Sequence, residues 1–493
     1  MDYMNILVGL LFAYFLVYGV VIFTLRRSKR VAPGPFPLPI IGNLHLLGDK
    51  PHISLTQLAI KYGPIMNLKL GQINTVVISS SVLAKQVMQK QDLSFSSRSV
   101  PDALYACNQS DFSIVWLPVN SQWRTFRKIM NSHIFSGHNL DVSKHLRSEK
   151  VQQLIDYCHK NGQNCEAVNI GRAAFRTTLN LLSNTIFSKD LTDPFSDSAK
   201  EFKDLVWNIM VEAGEPNLVD YFPFLRKIDP QGRRRRMTNH FTKVLQLMSG
   251  LIDERLNERK MRNHINGDVL DSLLNICPQE IDRNHIEHLF LVDMFVAGSD
   301  TTSNTLEWAM AELLKNPHTL EKAQEELAQV IGRGKLIDED DVAKLSYLRC
   351  VVKETFRIHP PVPFLIPRKT VEDVEFCGYI IPKDSQILVN IWAIGNDYSL
   401  WEDPLDFKPE RFWESDIDVR GRDFELIPFD AGRRICPGLP LAIKMVPVTL
   451  GSILNTFNWK LHGGIEPKDL DMEEKFGITL AKAQPLLAIP VPL

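Results

Sequence analysis

Between Asp2 and Arg26 the chain carries no charge, and the apolar run from Tyr3 to Leu25 would span about 34 Å as a helix, enough to cross the hydrocarbon core of a bilayer. Basic residues crowd the far flank, in Arg26-Arg27-Ser28-Lys29-Arg30, which directs the following chain to the cytosol. A cleaved signal peptide starts basic and ends on small residues. This run starts at Asp2 and ends in Phe23-Thr24-Leu25, so a retained single-pass anchor over 1–25 is predicted. Prolines and glycines punctuate 31–43 (VAPGPFPLPIIGN), which excludes helix and central strand and predicts, with the basic cluster, a stiff hinge over 26–43. Beyond it, Ile65 to Ser80 alternates around Gly71 as a β-hairpin does. The period is then mostly helical: an apolar run, Leu289 to Val296, then Leu306 to Gly332 with a break at Asn316-Pro317, and finally an apolar stretch from Leu439 to Phe457. Val374 to Ile394 returns to strand-like runs with turns at Gly378 and Pro382-Lys383. No internal repeat is visible and no linker follows Asn43. The pattern predicts a mainly α fold with a small β-rich lobe, in one domain over 44–493.

Composition narrows the function classes. A formal net charge of −2 over 493 residues gives no global attraction to nucleic acid, so no nucleic-acid partner is expected. Seven cysteines, odd in number and without a C-x-x-C pair, suit a reducing compartment rather than a disulfide scaffold. The sequon Asn108-Gln109-Ser110 would then face cytosol and stay unmodified. The run Arg233-Arg234-Arg235-Arg236 reads as a solvated helix start, with contact to anionic lipid as the lesser reading.

The chemistry concentrates at Phe429-Asp430-Ala431-Gly432-Arg433-Arg434-Ile435-Cys436-Pro437-Gly438, an F-x-x-G-x-R-x-C-x-G pattern. A thiolate is an electron-rich ligand that, on haem iron, favours O–O cleavage. Gly432 and Gly438 allow tight turns and close approach to a flat macrocycle. Pro437 suits the first position of the helix that follows, which would set Cys436 at a helix N-terminus where free N–H groups stabilise a thiolate. Arg434 is long enough to reach an anionic propionate. Five fixed positions in ten residues argue against an inert buried cysteine. Upstream, Ala297-Gly298-Ser299-Asp300-Thr301-Thr302 puts a glycine inside a helix at a cost of about 1 kcal/mol. Room for a small molecule, with an acid and a hydroxyl alongside to relay protons, would offset it; a capped kink is the alternative.

The decapeptide resembles the haem-binding loop of the cytochrome P-450 family, and further motifs occur in that family's order. The resemblance implies a haem b group sandwiched between two helices, with Cys436 as axial iron ligand and Phe429 and Gly438 as further haem-binding residues of the loop. It implies that Thr301 and Asp300 supply protons for O2 activation. Trp123 and Arg127, in a W-x-x-x-R pattern on one helix face, would bind a propionate, with Arg368 and Arg434 as further donors. Glu354-x-x-Arg357 would join Arg411, of Pro409-Glu410-Arg411-Phe412, in a buried structural network. Lys128, Arg433 and Arg434 are expected to dock the acidic surface of an NADPH-dependent reductase, with cytochrome b5 as a further candidate partner; NADPH itself is not bound here. The anchor and hinge resemble those of microsomal members, implying endoplasmic reticulum membrane with the catalytic domain cytosolic. One departure stands out: the residue after the phenylalanine is usually glycine and here is Asp430. Its charge beside the thiolate is expected to lower haem affinity or shift its potential, so that Asp430→Gly would raise haem occupancy.

Pocket positions carried over from the family include Val100, Phe112, Leu205, Ala213, Phe295, Ala297, Val362, Leu365 and Ile478, largely apolar and suited to a small lipophilic molecule. Segments such as RSVPDALYACNQSDFSIVWLPV and RIHPPVPFLIPRK are similar to the plant members of the family that hydroxylate the terminal allylic methyl of geraniol, with nerol as a second candidate. The same chemistry on a flavonoid or diterpene is the runner-up. A haem-binding sensor, an inactive scaffold or an isomerase working without O2 would not need Asp300 and Thr301.

Overall fold

The computed structural model describes residues 30–191, 198–262, 267–277 and 280–493, together with Tyr3, Asn5 and Ile6. The predicted anchor, apart from those three residues, and the basic cluster before Arg30 lie outside the described residues. In chain order the main elements are α1 (Pro51–Tyr62), β1 (Ile65–Leu70), β2 (Ile73–Ile78), β3 (Ser97–Arg98), α2 (Ser121–Ile129), α3 (Lys144–Gln163), β4 (Val168–Asn169), α4 (Ile170–Phe187), α5 (Ser198–Gly214) and α6 (Arg233–Arg262). There follow α7 (Ala297–Lys315), α8 (Pro317–Val330), α9 (Ser346–Ile358), β5 (Arg368–Lys369), β6 (Val374–Phe376), β7 (Tyr379–Ile381), β8 (Gln386–Val389), α10 (Leu439–Thr456), β9 (Phe457–Leu461), β10 (Glu474–Lys475), β11 (Ala481–Lys482) and β12 (Leu487–Pro492).

Helix α7 is the axis of the helical part. It packs on α4, α8, α9 and α10, and nearly every residue from Ser303 to Leu314 is buried, so its apolar character is continuous rather than a single stripe. A π-helical segment, Leu289–Val296, leads into it and shifts its register. Pro317 ends the run as expected and starts α8 in its first turn, where a missing N–H costs nothing. Helix α10 is long and apolar enough to cross a membrane, yet 72% of it is buried inside the fold, which marks a core helix.

The β-rich lobe is a five-stranded sheet in the order β1-β2-β8-β5-β3, in which β2 and β8 run parallel and the other neighbours antiparallel. The hairpin turns at Gly71, with φ +57°. The described part of the proline-rich stretch lies along this lobe. Pro33 accepts from the backbone N–H of Asn67 at 2.7 Å, and Gly42 bridges to Leu70. A Cβ at Gly42 would fall 1.9 Å from the carbonyl oxygen of Lys69, so the approach demands glycine. Two expectations change. Strand-like character stops at Val389, because Asn390 caps a short helix, Ile391–Gly395, through its side chain. The arginine run is not merely solvated: Arg233 pairs with Glu212 and Glu215, Arg234 with Asp102, and Arg236 with Glu212.

Candidate functional site

The loop before α10 is closed by a hydrogen bond from the Cys436 backbone N–H to the Phe429 carbonyl at 2.8 Å. Gly432 has φ +65°, and a Cβ there would lie 2.1 Å from the Met88 carbonyl oxygen, so no side chain fits. The helix starts at Leu439 with Pro440 in its first turn, leaving Pro437 outside it, contrary to the sequence expectation. Burial pushes the Cys436 thiol up, against the backbone N–H groups of Gly438 and Leu439 and the Arg127 guanidinium, which pull it down.

Cys436 lines an apolar cavity of about 270 Å³ together with Phe429, Gly438, Trp123, Arg127, Arg434 and the Ala297, Gly298, Thr301 and Thr302 stretch of α7. Ala213, Val362, Leu365 and Ile478 from the expected pocket set also line it. Four do not. Val100 lines a second, larger cavity of about 900 Å³ that shares Arg98, Trp116, Ala213, Leu365, Ile366 and Ile478 with the first. Phe112 stacks on His288 with centroids 4.6 Å apart. Leu205 packs into the adjoining apolar core. Phe295, fully buried, stacks on Phe187 at 5.9 Å, because the π-helical segment turns it away from the cavity. Walls that sequence reasoning missed include Arg98, Trp116, Thr178, Met294 and Leu441. None belongs to a short motif, so no local signal singles them out.

The polar wall is an arginine cluster. Arg98 and Arg368 face each other across β3 and β5, both buried. Asp430 bridges them, accepting from Arg368 Nη2 at 2.6 Å and Arg98 Nη2 at 3.3 Å, and those cations hold its carboxyl below the usual range despite burial. Its charge is therefore balanced by two cations rather than left alone beside the sulfur. Arg368 does not line the cavity, contrary to expectation: its other bond goes to the Phe95 carbonyl at 3.4 Å, and Arg98 takes the wall. Arg434 donates to the carbonyls of Ser96, Ile114 and Leu117 and stacks over Trp123 at 5.1 Å. The Trp123 indole N–H donates to the Ile114 carbonyl at 3.1 Å. Arg434 is buried, which removes it from the docking surface expected with Lys128 and Arg433; those two are exposed.

On α7 the Thr301 hydroxyl lines the cavity and donates to the Ala297 carbonyl at 2.8 Å. Asp300 points behind the wall. Its Oδ2 accepts from Asn304 Nδ2 at 3.1 Å and from Thr479 Oγ1 at 2.6 Å, and burial raises its pKa to about 6. Away from the cavity, Glu354 accepts from Arg357 Nε at 2.7 Å and Nη2 at 2.8 Å, from Arg411 Nε at 3.1 Å and from the Lys408 backbone N–H at 2.8 Å.

The chain is 67% identical to a geraniol 8-hydroxylase of Catharanthus roseus over 493 residues, 99% of each chain. It is 64% identical to a geraniol 8-hydroxylase of Swertia mussotii, covering all of this chain and 99% of the relative. A geranylhydroquinone 3''-hydroxylase of Arnebia euchroma is 54% identical, again over all of this chain and 99% of the relative. Residues 32–487 match the family described as cytochrome P450. A cysteine-closed loop under an apolar cavity, an acid and a threonine on the central helix, and these full-length likenesses lead to one statement: the chain belongs to the cytochrome P450 family.

Proposed function

We propose that the protein is a membrane-anchored haem-thiolate monooxygenase that hydroxylates the terminal allylic methyl of geraniol, giving 8-hydroxygeraniol for iridoid synthesis. The observation that carries the reading is the opening of Cys436 into an apolar cavity shared with Thr301, in a chain 67% identical over its length to a protein named for that reaction. The residues present fit a haem with anionic edge groups. Arg98 Nε and Trp116 Nε1 are buried without a hydrogen-bond partner among the described residues, and both residues line the cavity with Arg127. Arg98, Trp116 and Arg127 would hold the propionates, the Trp123 indole N–H being committed to the Ile114 carbonyl, and Cys436 would ligate the iron. The haem supplies O2 activation, with electrons passed from NADPH by a reductase.

The chain's own residues do the rest. Ala213, Ala297, Val362, Leu365 and Ile478 exclude water and hold an apolar chain by burial. Allylic C–H bonds are weak at several carbons of geraniol, so position rather than bond strength must select the distal methyl. Thr301 presents a hydroxyl at the cavity, and Asp300, one residue earlier, holds a carboxyl able to gain or lose a proton near neutral pH. The larger cavity, lined by Val100 and Tyr221 and sharing Ala213, Leu365 and Ile478 with the inner one, is the approach route. The reading includes single-pass anchorage in the endoplasmic reticulum with the catalytic domain cytosolic, and cytochrome b5 as a second electron donor. Cys436→Ala tests the haem assignment: the reduced carbon-monoxide spectrum of a thiolate-bound haem should vanish with all geraniol-dependent product. Retention of both would refute it.

A further inference from the structure

The turn between β10 and β11 carries two neighbouring residues with different tasks. Ile478 lines both cavities, and Thr479 lines the inner one while donating its hydroxyl proton to Asp300 Oδ2 at 2.6 Å. The turn is fixed on three sides. The Leu480 backbone N–H donates to the Pro361 carbonyl at 2.9 Å, and the Leu480 carbonyl accepts from the Trp308 indole at 3.0 Å. On the third side α5 ends at Gly214, where a Cβ would lie 2.5 Å from the Ile478 backbone nitrogen. A threonine so held has little freedom, and its hydroxyl spans 179 residues of sequence to reach the acid.

Asp300 has no cation partner among the described residues. Arg172, Arg176, Glu307, Glu354, Lys444 and Lys482, borne by its own helix and the elements packed on it, do not set its titration; burial does, opposed by the hydrogen bonds from Thr479 and Asn304. In a buried acid without a counter-ion, each such donor decides both where the carboxyl points and how readily it ionises.

We propose that Thr479 is the positioning residue for Asp300: its hydroxyl holds the carboxyl against the helix from the same turn that presents Ile478 to substrate, so that proton supply and the substrate wall are one mechanical unit. The inference rests on the reading of Asp300 as the group that handles protons. Each turnover consumes two protons; Asp300 gives up every proton it takes and so ends unchanged, while Thr479 orients it and transfers none itself.

The hydroxyl donates to the charged form, so its loss must raise the Asp300 pKa further. Thr479→Val keeps shape and volume and removes only the donor, and Thr479→Ser restores it. Two readouts apply to holoenzymes of equal haem content. The first is the pH midpoint of the protonated-carboxyl infrared band that Asp300→Asn abolishes. The second is the product formed per NADPH consumed with geraniol. Thr479→Val should move the midpoint upward and lower coupling at least threefold at neutral pH, with the substrate-induced haem spectral shift occurring at an unchanged geraniol concentration. Thr479→Ser should match wild type in both. An unmoved midpoint or full coupling in Thr479→Val overturns the proposal; should that variant not fold, Thr479→Ala is read by the same criteria. If Asp300→Asn is uncoupled while Thr479→Val behaves as wild type, only this inference fails. If Asp300→Asn couples fully, the reading of Asp300 fails and the inference with it.

Discussion

Glu354→Gln isolates the charge at the centre of the most deeply buried ion network. The side chain accepts four N–H groups, three from Arg357 and Arg411 and one from the Lys408 backbone, and is fully buried. Arg357 also donates to the carbonyls of Gly395, Pro404 and Asp406, and Arg411 to those of Glu402, Asp403 and Asp406. The two arginines thereby tie α9 to the segment before the cysteine loop. Glutamine keeps the shape but leaves two guanidiniums without a counter-ion and turns an N–H donor toward other donors. Breaking a buried pair costs about 3–5 kcal/mol, against a whole-domain stability of about 5–15 kcal/mol. The exposed Lys468–Glu466 pair at 2.8 Å is the control, and Glu466→Gln should cost at most about 1 kcal/mol. Urea denaturation followed by far-ultraviolet circular dichroism measures both. A loss in Glu354→Gln no larger than in Glu466→Gln would refute the claim that this network secures the fold beneath the site.

Asp430→Asn, which suits the left-handed backbone there (φ +63°), removes the shared counter-ion of Arg98 and Arg368 and should cost about 3 kcal/mol in the same assay; a loss under about 1 kcal/mol contradicts the bridging role. Gly432→Ala forces a Cβ toward the Met88 carbonyl and should abolish haem-thiolate incorporation, read from the reduced carbon-monoxide spectrum, whereas full incorporation would show that the loop can yield. Glu474 sits between His52 and His359: burial pushes its pKa up but the histidines win and lower it to about 2, while burial pushes that of His359 down and its contacts with Glu312 and Glu474 win and raise it. The carboxylate's contribution is present above its ordinary pKa of 4.5 and fades as pH falls toward 2; that of the imidazolium is present below 6.5 and fades as pH rises through its raised folded value. The stability difference between wild type and Glu474→Gln should therefore be largest between pH 4.5 and 6.5, and a difference independent of pH would exclude the charged pair.

What the sequence revealed was local. The cysteine loop is ten contiguous residues, Glu354 and Arg357 are one helical turn apart, and the Gly71 hairpin closes over two residues between its strands. What it concealed depends on distant segments. Asp430 meets Arg98 across 332 positions and Thr479 meets Asp300 across 179, and nothing in either neighbourhood announces the partner. Phe295 was carried over from the family's pocket positions, and the π-helical segment before Ala297 sets it on Phe187 instead. Arg434 and Arg368 were expected as propionate donors; each meets acceptors from the protein itself, carbonyls for one and the Asp430 carboxylate for the other.

The central claim is tested most directly by the product. Microsomes holding the protein and a plant reductase are incubated with NADPH and geraniol, and the extract is analysed by mass spectrometry against authentic standards. The account predicts 8-hydroxygeraniol as the main product, absent without NADPH and absent for Cys436→Ala. No 8-hydroxygeraniol from a preparation with a normal haem-thiolate spectrum would contradict it.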